Sequence, residues 1–285
     1  MTDFATWIYD IVGLIPLECL EADFMRRALL ALLLLAPMAS VLGVHMLHQR
    51  MAFFSDAVGH SAFAGVALGL ILGVSPRLSM PLFGVLTGLG IMALSRRSTL
   101  GADTATGVVF SAVVAFGLAV TSAKAGLGRD MQQFLYGDVL TITGPETAFL
   151  GVLSLTILAF QTIGYNRMLQ ISLSPVVARA WGMRVALWQY VFALLLSVVV
   201  MFSVWAVGVL LVTALLIVPA ATARNLARSA GGMFWWSMAV GTSSAFIGLV
   251  LSAQEWCSMA TGATIILVAS GWFGASMLWK RTLGR

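Results

Sequence analysis

The sequence predicts an all-α, polytopic membrane protein with about nine transmembrane helices, eight being possible. Three observations predict it. Of 285 residues, 60% are hydrophobic and only 9% are charged, whereas soluble domains are about one quarter charged. Apolar runs near the roughly 20 residues needed to cross a bilayer recur along the chain. Those runs are continuous, while the strands of a membrane barrel would alternate.

Residues 1–24 mix Trp7, Ile8, Ile11, Val12, Ile15 and Leu20 with Asp3, Asp10, Glu18, Glu21 and Asp23, and read as an acidic amphipathic interfacial segment. Asp3 and Asp10 stand where a secretory signal would be basic, and no apolar core follows at once, so the first span is expected to insert the chain. That span covers about 25–47, with Pro37 as an expected kink. The second covers about 54–74, and SPRLSM reads as a tight turn before the third, about 79–95, which ends at Arg96 and Arg97. The fourth covers about 104–122. Residues 124–144 are too polar to span and are expected at a surface. The fifth span, about 145–163, is followed by a polar stretch containing SPVVARAWGMR (174–184). In it, Ser174 and Pro175 suit a cap and first turn, Val176, Val177, Ala180 and Trp181 an apolar face, and Gly182 an end. It reads as a short amphipathic helix that either docks on a partner or lies on the membrane surface. Spans six and seven, about 186–205 and 207–223, are weakly separated, and Pro219 is expected to kink the seventh. The eighth and ninth cover about 233–252 and 261–279.

Basic residues orient the chain. With a cytoplasmic C-terminus, the inside segments hold Arg50, Arg96, Arg97, Arg167, Arg179, Arg184, Arg224, Arg228, Lys280, Arg281 and Arg285. The outside segments hold only Arg26, Arg27, Arg77, Lys124 and Arg129, which puts the N-terminus outside. Most acids fall outside too, where they either favour cations or are ordinary solvated charges. No basic cluster of the nucleic-acid-binding kind occurs. Cys19 and Cys257 both fall outside; they are read as unpaired, with a disulfide conceivable.

The chemistry concentrates in SDAVGHSAFAGVALGLILG (55–73). Asp56 and His60 are four residues apart, hence on one helix face. Beside them Ala57, Ser61, Gly65, Gly69 and Gly73 form a ridge of small residues that lets a neighbouring backbone approach. A carboxylate and an imidazole are costly to place in a membrane helix and mark a functional position. Their oxygen and nitrogen donors suit zinc or manganese. One pair supplies two ligands; two copies across a dimer axis would supply four. The same residues also read as a helix start, with Ser55 as N-cap, Asp56 on the helix dipole and His60 bonded in packing. Spacing alone leaves both readings open. His45 and His48 end the first span and either extend a metal path or are interfacial. Asp103 reads as a capping residue. No GxxxxGK[ST] occurs, so this chain is not expected to hydrolyse nucleotide, and no HExxH occurs.

Together SDAVGHSAFAGVALGLILG (55–73), ADTATGVVFSAVVAFG (102–117), DMQQFLYGDVLTIT (130–143) and GVLLVTALLIVPAATARNLA (208–227) resemble the permease subunit of the zinc/manganese/iron ABC importers, over roughly 24–280 and in that family's order. The resemblance implies a type II-like ABC importer permease: a single domain over 25–280 with a basic tail at 281–285, in a prokaryotic cytoplasmic membrane. It implies a second copy of the chain, two cytoplasmic ABC ATPases and an extracytoplasmic metal-binding protein, with lipid around them. It implies no permanently bound cofactor: zinc or manganese is cargo, and ATP binds in the partner. Asp56 and His60 would line the metal path, with His45 and His48 as its possible extension. The segment 174–184 would be the coupling helix to the ATPase, with Ser174, Pro175, Ala178, Arg179 and Gly182 as its residues, the last at the family's glycine position. Ser174-Pro175 replaces the family's acidic residue near the helix start, and the 1–24 segment lies outside the shared pattern. The expected function is therefore import of divalent transition metals by alternating access at the dimer interface, zinc first, then manganese or iron. The alternatives are an ion-coupled secondary metal transporter using the same pair as a relay and, last, an intramembrane metalloenzyme.

Overall fold

The computed structural model describes residues 22–97, 101–122, 139–254 and 259–282. Among them nine helices are long and apolar enough to cross a membrane. In chain order they are α1 Asp23–His48, α2 Phe54–Leu72, α3 Pro76–Arg97, α4 Ala102–Ser122, α5 Gly144–Leu173, α7 Val185–Val207, α8 Val209–Leu226, α9 Ala230–Ser252 and α10 Thr261–Thr282. The short α6 Pro175–Ala180 lies between α5 and α7, and a single 3-10 turn, Val139–Thr141, precedes α5. Helices dominate because a bilayer offers backbone N–H and C=O groups no water, and a helix satisfies them within one segment. The acidic segment up to Glu21, both cysteines and the whole of 124–138 lie outside the described residues.

Four boundaries differ from the sequence expectation, each for a local reason. α2 starts at Phe54 with Phe53 in the cap position and no side-chain cap. Its ladder already begins with the Ala57 N–H donating to the Phe53 carbonyl at 3.0 Å, so Ser55 is an interior residue and not the N-cap. Gly73 does not belong to the packing ridge. It ends α2 in the left-handed region at φ +70°, and a Cβ there would meet no atom within 4 Å. Glycine adopts this conformation without the Cβ clash. α5 runs on through the polar GYNRMLQISL to Leu173, giving 30 residues in place of the expected span to 163. At 1.5 Å per residue that is about 45 Å, longer than the ~30 Å hydrocarbon layer. Polar side chains can therefore leave the membrane while the backbone stays helical, and Arg167 there lies over the Trp188 ring at 4.9 Å. Finally, only Gly208, at φ +90°, separates α7 from α8; that one residue turns the weak boundary into two helices. Pro219 lies inside α8, which continues to Leu226.

The described residues fall into two compact units. One draws on Met1–Val44, Asp138–Leu158 and Ala214–Arg285. Within it α9 packs on α10, Ser237 donates to the Ser40 carbonyl at 2.9 Å, and Asn225 bonds Ser276 at 3.1 Å. The other unit draws on His45–Gly137 and Ala159–Thr213 and holds all the candidate site residues except Pro219. At its centre α2 packs on α3, α4 and α7, while α3 also packs on α4 and α7. At two members of the small-residue ridge the neighbouring helix comes close. A Cβ on Gly65 would meet Phe83 Cβ at 2.9 Å and the Met80 backbone at 3.0 Å, and one on Gly69 would strike the Ser79 side chain. Ser61 is buried and donates to its own helix at Val58 O, 2.6 Å away.

Gly65→Ala should therefore force α2 and α3 apart and cost about 1–3 kcal/mol, as overpacking does. Gly90→Ala, where a Cβ meets nothing within 4 Å, should leave stability unchanged or slightly raised. Thermal unfolding of the two purified variants in one detergent compares them directly.

Candidate functional site

Asp56 occupies the first turn of α2, and His60 follows one turn later, both half-buried. Their side chains are near enough for their charges to interact, and the Asp56 carboxyl lies in hydrogen-bonding reach of the Thr213 side chain of α8. The His60 ring meets Phe110 of α4 edge-on, with centroids 5.6 Å apart and planes at 69°. Between them, a Cβ on Gly59 would touch Val209 at 3.0 Å, so the flank of α2 next to the pair is closely covered. The structure thus holds the carboxylate and the imidazole together on one helix face, each steadied by a different neighbouring helix. Ser55 is fully buried beside them, and its hydroxyl has no hydrogen-bond partner among the described residues.

His45 and His48 stand differently. The structure does not gather them with Asp56 and His60: among the described residues no three His, Cys, Asp or Glu side chains sit where they could hold one metal ion. His45 is 1% exposed. Its Nε2 is hydrogen-bonded to Gln161 Oε1 at 2.8 Å, and its ring lies 5.4 Å from that of Tyr165 and 6.2 Å, edge-on, from that of Phe192. His48 is half-buried. Sequence reading missed Thr213, Gln161 and Tyr165. Gln161 and Tyr165 carried a signal, a polar pair four residues apart on an apolar helix, but ending span five at 163 divided them.

The short α6 is built as its residues dictate. Ser174 caps it, its hydroxyl accepting the Val177 N–H at 3.3 Å, and Pro175 takes the first turn. Gly182 closes it at φ +76°. The Gly182 N–H donates to Arg179 O at 2.9 Å and the Met183 N–H to Ala178 O at 3.1 Å, which satisfies the last carbonyls. Arg179 is exposed and donates its Nε–H to Pro175 O at 3.2 Å. The helix buries Ala178 alone and leaves its apolar face exposed: Val176, Val177 and Trp181 are 67%, 52% and 73% exposed, and Leu173 just before it is 79% exposed.

A family model described as the ABC 3 transport family matches residues 21–280. The chain belongs to the ABC 3 transport family. It is a multi-pass, non-catalytic membrane subunit of an ABC transporter, as the four motif stretches imply. Relatives in the family cover more than nine tenths of its length. The manganese transport system membrane protein MntC of Listeria innocua is 31% identical over 266 residues, covering 93% of this chain and 94% of the relative. The high-affinity zinc uptake system membrane protein ZnuB of Haemophilus influenzae is 27% identical over 261 residues, covering 92% and 99%. Among solved structures, PsaBC from Streptococcus pneumoniae in complex with Fab matches with a TM-score of 0.74 and 28% identity over 93% of each chain. An inward-facing ABC transporter of metal-chelate type shares the fold at a TM-score of 0.71, with 18% identity.

Gln161→Leu should strand the buried His45 Nε2 and lower stability by about 1–3 kcal/mol. The double variant His45→Leu/Gln161→Leu should lose less than the sum of the two single changes, because neither polar group is then left alone. Thermal unfolding of the three variants measures this coupling.

Proposed function

We propose that this chain is the permease of an ATP-driven importer of divalent transition-metal ions, and that Asp56 and His60 are the residues through which it touches its cargo. The observation that carries the reading is the pair itself. A carboxylate and an imidazole share one face near the start of α2, in a chain of a transporter family with relatives named for manganese and zinc. Two ligands do not complete a coordination sphere. A second copy of the chain would supply the other two, so the working permease is a homodimer with the metal path between its copies. Zinc is the first cargo by donor chemistry, since imidazole suits zinc and zinc stands above manganese in the affinity order. The 31% identical relative is named for manganese and favours that ion as the second reading.

The exposed apolar surface of Leu173, Val176, Val177 and Trp181 supports α6 as the coupling helix, with Arg179 on its rim and Gly182 fixing the turn that follows. It would dock on a cytoplasmic ATPase pair, and an outer metal-binding protein would deliver the ion. Basic residues support a cytoplasmic C-terminus and an outer N-terminus. ATP binding in the partners would drive exchange between outward- and inward-open forms. The ion-coupled alternative has no use for an ATPase, and membership of an ABC family tells against it.

Membrane vesicles carrying the whole complex should lose at least tenfold in zinc and manganese uptake on Asp56→Ala or His60→Ala, while the ATPase still copurifies. Unchanged uptake in both variants would sink the site. Competition between the two ions in the same vesicles decides the cargo. Val177→Glu should instead release the ATPase during purification and leave metal binding by the permease intact; retention of the ATPase would remove α6 as its dock.

A further inference from the structure

We propose that the chain holds an anion site for a phosphate group, either the headgroup phosphate of an anionic phospholipid or free phosphate, in a cavity beside α6. The cavity measures about 220 Å³, and its polar wall among the described residues is formed by Gln49, Ser95, Arg96, Arg179 and Gln189, with Ala102 at the start of α4. It lies apart from Asp56 and His60, neither of which lines it.

The donors in this wall outnumber the acceptors. Arg96 gives an Nη1–H to Gln189 Oε1 and lies over the Tyr190 ring at 5.8 Å. That contact occupies the Gln189 carbonyl and leaves the Gln189 amide N–H groups and most of the Arg96 fork. Arg179 gives its Nε–H to Pro175 O and keeps its four terminal N–H groups. The Gln49 Nε2 is buried without a hydrogen-bond partner among the described residues. No described carboxylate lines the cavity, and the ion pair formed among the described residues is elsewhere, between Arg26 and Asp23. Asp103, next after Ala102, is exposed to solvent in the first turn of α4.

Two guanidinium groups from different elements, two amides and a hydroxyl present donors from several sides. That suits a tetrahedral oxyanion better than the two oxygens of a carboxylate. The first backbone N–H groups of α4 add to the same field. Position fits both sources of phosphate. Arg96 and Gln189 lie within about a turn of the ends of α3 and α7, two helices long enough to span the membrane, so a headgroup can enter from the lipid and an inorganic ion from water.

The test uses the full chain in neutral detergent, without metal or ATPase, so its outcome is independent of the transport reading. Native mass spectrometry compares phosphatidylglycerol with phosphatidylcholine, and calorimetry titrates inorganic phosphate. Wild type should retain one phosphatidylglycerol in preference to phosphatidylcholine, or bind one phosphate. Arg96→Gln/Arg179→Gln should weaken this at least tenfold, and Arg97→Gln, outside the cavity, less than twofold. Retained phosphatidylglycerol that excess phosphate does not displace identifies the lipid headgroup; displacement identifies free phosphate. Wild type that binds neither probe overturns the proposal, whatever the variants do. So does a double variant that binds like wild type.

Discussion

The close approach of α2 to α3 at Gly65 is the contact on which the arrangement of the second unit rests. Lipid tails are as apolar as leucine, so helices in a membrane gain little by hiding apolar surface from their surroundings. What holds them is shape, and a missing side chain is the simplest way to bring two backbones together. At Gly65 the Met80 backbone lies 3.0 Å from where a Cβ would stand. Two buried serines of the unit avoid spoiling that fit by turning their hydroxyls onto their own helices, Ser61 to Val58 O and Ser197 to Ala193 O. With one flank of α2 pressed onto α3, its rotation is set. Asp56 and His60 then fall on a half-buried flank between Thr213 and Phe110.

The polar groups inside the same unit divide by how they are partnered. His45 has a hydrogen-bonded amide and two aromatic rings around it and is almost wholly buried; it behaves as a structural tie between α1, α5 and α7. Asp56 and His60 are half-buried, and among the described residues no third His, Cys, Asp or Glu joins them where a metal ion could be held.

α6 shows the opposite arrangement. A six-residue helix is too short to be stable by its own hydrogen bonds, and it holds because Ser174 begins it, Gly182 ends it and Ala178 anchors it. Everything else on it faces outward, apolar at Val176, Val177 and Trp181 and cationic at Arg179. Arg179 at its edge lines the neighbouring cavity.

By itself the sequence determined the helical class, about nine spans, the ends of α6, and the face shared by Asp56 and His60. These follow from hydropathy, caps and the 3.6-residue period, all of which are local. Its motif order also pointed to the family. It could not separate Gly73 from Gly65, because small residues four apart look alike until one is seen at φ +70° and another against a neighbour's backbone. It placed Ser55 as a cap, because a serine before an apolar run is the usual signal, while the ladder in fact starts at Phe53. Only the tertiary structure decided that His45 meets Gln161 across 116 residues, that Asp56 meets Thr213, and that Arg96 and Arg179 share one cavity. Those pairings depend on how helices pack, and packing between distant helices leaves no period in the chain.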